Sequence, residues 1–154
     1  MTINIISIGS KPNMWELDSI QYYAKQLPRN LNINFTYIKN LASSKLTPKE
    51  IIKKESVMLL EKIPKNNYVI SWDSNGEQVS SVDFANLIKQ RIQINKSVCF
   101  LIGGSHGFSE EVKQKSNIVL SASLLTFPHK LFRLILVEQI YRAHTILANM
   151  PYHK

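Results

Sequence analysis

The segment SLLTFPHKLFRLILVEQIYRAHTI, Ser123–Ile146, decides the fold of this 154-residue chain. After its proline the segment reads as one helix, and charged or titratable side chains interrupt its apolar surface, among them His129, Arg133, Glu138 and Arg142. Apolar residues nevertheless surround the helix on all sides, whereas a helix at a protein surface carries them on a single stripe. The helix is therefore predicted to pack against apolar partners on two opposite sides.

We expect a second copy of the chain to supply one of these two partners. The other partner is the chain's own sheet, and a symmetric copy is the simplest source of a second apolar face. The sequence therefore predicts an obligate homodimer that packs through this helix. Glu138 and Arg142 stand four residues apart in the order that favours an ion pair, and we interpret them as a structural pair at that interface.

The rest of the sequence alternates between strand and helix patterns. Strands are predicted at 3–9, 32–39, 67–72, 97–104 and 117–122, with the third closed by the turn residues at 73–76. Helices are predicted at 15–27, where Pro28 stops the pattern, at 48–62 and 80–94, and after Ser109 and Pro128. The second begins with a capping box, Thr47 to Glu50. The run 97–104 is the most apolar strand and belongs in the centre of the sheet. The pattern predicts an α/β fold in which a mostly parallel sheet carries helices on both faces, in a single domain spanning residues 1–154.

Three segments end strands and should meet at the carboxyl edge of the sheet, where ligands bind in such folds. They are Trp72–Asp73, Gly103–Gly107 and Ser123–Pro128. The glycine-rich loop matches neither the dinucleotide-binding pattern nor a P-loop. Glu110 and Glu111 also occupy the helix end that a phosphate would need. The loop is therefore either a tight turn or a site where a cationic or zwitterionic ligand approaches the backbone.

The composition limits the classes of function. Nineteen Lys and Arg against eleven Asp and Glu give a net charge of +8, which indicates either solubility alone or contact with RNA or DNA. The single cysteine, Cys99, lies in an apolar run and is predicted to be buried and inert, which excludes a disulfide framework. The sequence shows no basic leader, no metal-binding cluster and no apolar run near the roughly 20 residues that span a bilayer. We expect a soluble, cytoplasmic protein with no membrane or metal partner.

Titratable side chains flank both ends of the last helix. His129 and Arg133 begin it beside the predicted crevice, and His129 is either a first-turn hydrogen-bonding residue or a group for proton chemistry or substrate binding. Tyr152, His153 and Lys154 follow it. This short tail either frays or stacks on a nucleic acid base and holds its phosphate.

Several motifs together carry a family resemblance that covers essentially the whole chain. FLIGGSHGFSEEV, LLTFPHKLFRLILVEQIYRAHTI, the terminal PYHK and the initial ISIGSKP closely resemble the ribosomal RNA large subunit methyltransferase H family. This family contains the smallest members of the SPOUT superfamily of α/β-knot methyltransferases. The combination of IGG-x-x-G, T-[FL]-P-H, E-x-x-Y-R-A and Y-H-[KR] at these distances is highly specific.

The resemblance implies a fold, a cofactor and a substrate. It implies a deep trefoil knot formed by the C-terminal segment, which ordinary topology rules treat as a rare exception. It implies S-adenosylmethionine as methyl donor, and as acceptor N3 of a pseudouridine in the 23S large-subunit RNA of the assembled ribosome. Trp72 stands where relatives usually carry leucine. The residues implied to bind the donor are Trp72, Gly104, Ser123, Leu124, Leu125, Thr126, Phe127 and Pro128.

Catalytic roles are hypotheses at this point. His129, or His153 reaching across the dimer, is the candidate that assists loss of the N3 proton, and Arg133 and Arg142 are candidates to stabilise the developing anion or to hold phosphate. Tyr152, His153 and Lys154 are the candidate RNA contacts. Two alternatives remain open: a catalytically silent RNA-binding dimer, and a methyltransferase of the same fold that acts on another RNA such as transfer RNA.

Overall fold

Five parallel strands form one sheet in the order β2-β1-β4-β3-β5, which confirms the predicted α/β architecture. The computed structural model describes residues 1–153. The strands are β1 Thr2–Ile8, β2 Asn32–Ile38, β3 Tyr68–Gln78, β4 Val98–Ile102 and β5 Ile118–Ser121. The helices are α1 Met14–Ala24, α2 Pro48–Lys62, α3 Ser81–Gln93, α4 Glu110–Lys115 and α5 His129–Leu147.

The sheet has an apolar core on each face, because successive strand residues point to opposite sides. In β4 the residues Val98, Phe100 and Ile102 join the core beneath α1, α3 and α5. Cys99 and Leu101 join the second core, beneath α2 and α4. All five β4 residues are buried, as expected for the central strand. Burial raises the pKa of the Cys99 thiol to about 12, so this cysteine is inert, as predicted.

Polar side chains set the starts of three helices. The Thr47 side chain accepts from the Glu50 N–H, and the Glu50 carboxylate accepts from the Thr47 N–H at 2.8 Å, so the predicted capping box is confirmed. Ser80 caps α3 and Ser109 caps α4 in the same way. The helices therefore begin where the sequence placed them.

The third strand differs from its prediction. β3 does not end at Trp72, because a register shift carries it past the expected turn until Glu77 and Gln78 pair with β5. Gly76 allows this close pairing, since a Cβ there would lie 2.5 Å from the carbonyl carbon of Leu120. The turn-like composition of residues 73–76 therefore marks an irregular stretch inside a strand rather than its end.

The first helix is shorter than predicted. α1 ends at Ala24, and the N–H groups of Gln26 and Leu27 bond three residues back, which tightens the last turn. Pro28 disfavours the helical conformation in the residue before it, so the pattern extended beyond the helix.

α5 lies on the sheet with α1 and α3 on either side. These two neighbours cover much of the surface that the sequence had assigned to a second copy. Large apolar side chains remain exposed around the N-terminal ends of α1 and α5, namely Met14, Trp15, Leu17 and Leu131. In residues 1–153, we find no helix that combines the length and apolarity needed to cross a membrane.

Candidate active site

A cavity of about 230 Å³ opens at the carboxyl edge of the sheet, beside the ends of β4 and β5 and the irregular stretch of β3 that begins after Trp72. Six of the residues implied to bind the donor line it: Trp72, Gly104, Ser123, Leu125, Thr126 and Phe127. Leu124 instead borders a neighbouring depression with Gln78 and Val79, and Pro128 occupies the N-cap position of α5. The three segments that the sequence predicted to end strands thus meet at one site, although β3 continues past Trp72–Asp73.

The sequence did not single out several other residues of the wall. These are Ser74, Ile102, Phe108, Ser121, Ala122 and Phe132. Most of them are sequence neighbours of one of the three predicted segments. Extending each segment by one or two residues would have included them.

The glycine loop after β4 is shaped by close contacts. A Cβ on Gly103 would lie 3.2 Å from the Phe108 ring, and one on Gly104 would lie 2.5 Å from the Oε2 atom of Glu55. Gly107 has a φ of +76°, and its N–H donates to the Gly104 carbonyl at 3.1 Å. The backbone itself therefore forms this wall of the cavity, as a site that a ligand approaches closely requires.

The start of the irregular stretch in β3 contributes an aromatic wall and a carboxylate. The Trp72 ring packs among Phe84, Phe100 and Phe132 at centroid distances of 5.6 to 6.2 Å. Asp73 lines the cavity and pairs with Lys113 at 3.7 Å. Its charge therefore already has a partner within the chain.

The segment between β5 and α5 closes the cavity as an ordered turn. The Ser121 hydroxyl donates to the Ser123 carbonyl at 3.0 Å, and the Leu125 N–H donates to the Ser123 hydroxyl at 2.9 Å. Leu124 and Leu125 are 89% and 72% exposed. Two large apolar side chains therefore point to solvent at the mouth of the site.

His129 lies at the cavity wall on the first turn of α5. Burial, and then the nearby positive charge of Arg133, lowers the pKa of its imidazole below the ordinary value. A neutral imidazole is the form that accepts a proton, so the geometry suits His129 for proton chemistry.

Arg133 occupies a different environment from the one the sequence suggested. Its side chain is only 1% exposed, and its Nη1 atom pairs with Oε1 of the fully buried Glu16 at 3.0 Å. Its Nε atom donates to the Ser7 hydroxyl at 2.8 Å, and its guanidinium lies over the Tyr37 ring. A side chain enclosed in this way cannot hold a phosphate, so Arg133 positions the start of α5 instead.

The C-terminal tail folds back onto α5. The Tyr152 hydroxyl donates to Oε1 of Glu138 at 2.9 Å, and Arg142 donates to the same oxygen at 2.6 Å while lying over the Tyr152 ring. Tyr141 packs against Tyr152 with a centroid distance of 4.9 Å. The predicted Glu138–Arg142 pair is therefore present, and it holds the tail as well as stabilising the helix.

This attachment keeps the tail away from the same chain's cavity. Glu138 lies nine residues after His129, or about 13 Å along the helix axis. His153 is half-buried, and its Nδ1 atom has no hydrogen-bond partner among residues 1–153. Lys154 lies outside the described residues. Within one chain, the structure does not bring His129 and the tail together.

Replacing Tyr152 with phenylalanine will lower the free energy of unfolding by about 1 kcal/mol, because Glu138 loses a hydrogen-bond donor. Partial burial and that hydrogen bond raise the pKa of Tyr152. Its contribution is therefore complete below the ordinary tyrosine value of about 10 and declines as the pH rises from that value toward the raised pKa. Urea unfolding between pH 7 and 11 measures this difference. Exposed Tyr22→Phe is the control, and equal pH dependence in the two variants would contradict the assignment.

Comparison with known proteins identifies the family of this chain. A family model described as predicted SPOUT methyltransferase matches residues 1–153, and the chain belongs to this family. Three similar proteins are each called ribosomal RNA large subunit methyltransferase H. The one from Acholeplasma laidlawii is 44% identical and the one from Clostridium botulinum is 40% identical, each with complete coverage of both chains. The one from Caldicellulosiruptor saccharolyticus is 37% identical over 99% of both chains.

Two solved structures share the fold. A protein assigned to a methylase family from Neisseria gonorrhoeae aligns with a TM-score of 0.54 at 13% identity, covering 96% of this chain and 93% of its own. A protein assigned as an RNA methyltransferase from Bacillus anthracis aligns with a TM-score of 0.53 at 10% identity, covering 97% and 96%. At these identities the likeness concerns the fold alone.

The site fits S-adenosylmethionine, the methyl donor of this family. The donor carries a sulfonium cation, an ammonium and a carboxylate, and it has no phosphate. Gly104 offers bare backbone at the cavity wall, and the buried Oε2 atom of Glu55 directly behind it has no hydrogen-bond partner among the described residues. Glu110 and Glu111 stand in the first turn of α4. The surroundings therefore favour a cationic ligand over an anionic one. In the part of the chain that the structure describes, no cluster of three or more His, Cys, Asp or Glu side chains is arranged to hold a metal.

Proposed function

We propose that this protein transfers a methyl group from S-adenosylmethionine to N3 of a pseudouridine in the 23S large-subunit RNA of the assembled ribosome. One combined observation supports the proposal. His129 lines the cavity, and the chain is 37% to 44% identical, over essentially its full length, to proteins named ribosomal RNA large subunit methyltransferase H. The net charge of +8 is consistent with an RNA substrate.

The reaction is a direct displacement in which the protein aligns donor and acceptor. S-adenosylmethionine supplies an electrophilic methyl group. The backbone at Gly104 and the turn from Ser123 to Phe127 hold the donor, and much of the rate enhancement comes from this positioning. The Nδ1 or Nε2 atom of His129 takes the N3 proton of the acceptor, because its lowered pKa keeps the imidazole neutral.

We further propose that the active form is a cytoplasmic homodimer with a C-terminal trefoil knot. Exposed Met14, Trp15, Leu17 and Leu131 support a partner surface near the N-terminal ends of α1 and α5. The tail of one chain then contributes to the site of the partner chain, since the cavity of its own chain is too distant. In that arrangement Tyr152, His153 and Lys154 contact the RNA, and Arg142 holds Tyr152 in place or contacts a phosphate.

Replacing His129 with alanine will lower the single-turnover methylation rate by about 10²-fold, the usual contribution of a positioned base. In the wild type, a lowered histidine pKa means that the rate stays level as the pH falls to about 6.5 and declines only below that value. In His129→Ala, this decline of the rate at low pH will be absent. His144→Ala on the same helix is the control, because His144 does not line the cavity. An unchanged rate in His129→Ala would remove proton transfer by this residue from the mechanism.

Mass spectrometry of ribosomal RNA from cells with and without the protein tests the function itself. We expect one N3-methylated pseudouridine in large-subunit RNA that disappears when the protein is absent. Methylation of transfer RNA or of another nucleoside would assign a different substrate to the same fold. Failure to bind S-adenosylmethionine in calorimetry would indicate an RNA-binding protein without catalysis.

A further inference from the structure

Glu55 on α2 is a buried carboxylate directly behind the glycine loop. It is only 2% exposed. Its Oε1 atom accepts from the Leu41 N–H at 3.0 Å, and its Oε2 atom has no hydrogen-bond partner in residues 1–153. Within the same residues, no Lys, Arg or His side chain pairs with it. A buried negative charge without a counter-ion is costly, so its position requires an explanation.

A single glycine separates this carboxylate from the cavity. The Oε2 atom lies 2.5 Å from where a Cβ of Gly104 would be, and Ile8 packs 3.1 Å from the same point. Gly104 lines the cavity. No side chain therefore stands between the unpaired oxygen and the backbone that a ligand approaches.

The other acidic groups near the cavity are already compensated or hydrated. Asp73 pairs with Lys113 at 3.7 Å. Glu110 and Glu111 are exposed on α4, where water screens them. Glu55 is thus the acidic side chain near the site that is both buried and without a cation partner in the described part of the chain.

We propose that Glu55 is a specificity-determining residue that makes the site prefer the cationic methyl donor over its neutral product. Loss of the methyl group turns the sulfonium of S-adenosylmethionine into the uncharged thioether of S-adenosylhomocysteine. The attraction between Glu55 and the bound ligand, which is strong because the carboxylate is desolvated, ends with that change. The product is therefore held less tightly than the donor, and the site is freed for the next turnover.

Calorimetric affinities for three ligands test this inference. The probes are S-adenosylmethionine, S-adenosylhomocysteine and sinefungin, an analogue that carries an amine in place of the sulfonium. In Glu55→Gln we expect both cations to bind about tenfold more weakly and the neutral thioether to change by less than about twofold. Glu61→Gln, an exposed position on the same helix with the same change in charge, should leave all three affinities unaltered. Glu55→Met, a second neutral variant of similar volume, should reproduce the shift, and thermal melting confirms that each variant is folded.

Two results would overturn the inference. Equal weakening of all three ligands in Glu55→Gln would mean a distorted pocket or an attraction to the ammonium that all three share, and unchanged affinities would mean that the charge of Glu55 does not reach the ligand. The inference rests on the proposed cofactor and not on the RNA position. If the wild-type protein binds none of the ligands, both the proposed function and this inference are contradicted. If the wild-type protein binds them normally and Glu55→Gln shows no selective shift, only this inference is contradicted.

Discussion

Replacing Arg133 with methionine will lower the free energy of unfolding by about 3–5 kcal/mol, the cost of leaving one partner of a buried ion pair without the other. Arg133 and Glu16 are 1% and 0% exposed, so water cannot compensate the carboxylate that remains. The Ser7 hydroxyl and the Ser10 carbonyl lose their donor as well. Chemical denaturation of the purified variant measures the loss.

Two further variants separate charge from packing. Glu16→Leu combined with Arg133→Met removes both charges and should recover most of the lost stability, since apolar replacement of a whole buried pair is often neutral. Arg142→Met breaks the more exposed pair with Glu138 and should cost about 1 kcal/mol or less. If the double variant is no more stable than Arg133→Met alone, the effect comes from lost volume and not from the unpaired charge.

Replacing Gly76 with alanine will destabilise the protein by about 3 kcal/mol, at the upper end of the cost of overpacking. The added Cβ would lie 2.5 to 2.9 Å from three backbone atoms of Leu120, and backbone cannot move aside as a flexible side chain can. β3 and β5 would have to separate where the segment that closes the cavity begins. We therefore expect weaker S-adenosylmethionine binding as well, measured by calorimetry beside thermal unfolding.

Gly107→Ala is the matched control for this prediction. Gly107 has a φ of +76°, so alanine there costs about 1–2 kcal/mol of backbone strain. Its added Cβ would meet only the Asp73 carboxylate, at 3.9 Å. If Gly76→Ala costs no more than Gly107→Ala, the backbone contact at Leu120 is not the constraint that we describe.

Features that depend on neighbours in the sequence were predictable. The continuous apolar run of β4 identified the central strand. The side chains of Thr47, Ser80 and Ser109 marked three helix starts, because capping involves residues only two or three positions apart. The cavity was predictable at the level of segments, since parallel strands bring their carboxyl ends to one edge.

Features that depend on distant contacts were not predictable in this way. No local pattern marks Glu16 as a buried residue of α1, because its partner Arg133 lies 117 positions later. Glu55 has no local pattern that connects it to Gly104. Residues 73–76 have the composition of a turn, and only the pairing of β3 with β5 keeps them within a strand. Each of these three features depends on tertiary contacts that outweigh local preference.

The contact between Ser7 and Arg133 spans 126 positions, and this spacing has a consequence during translation. During synthesis, Glu16 has no counter-ion until the ribosome has released α5, which carries Arg133. An N-terminal fragment therefore lacks the ion pair that completes its fold. Prematurely terminated products should therefore be good substrates for cellular proteases, so that mainly full-length chains accumulate.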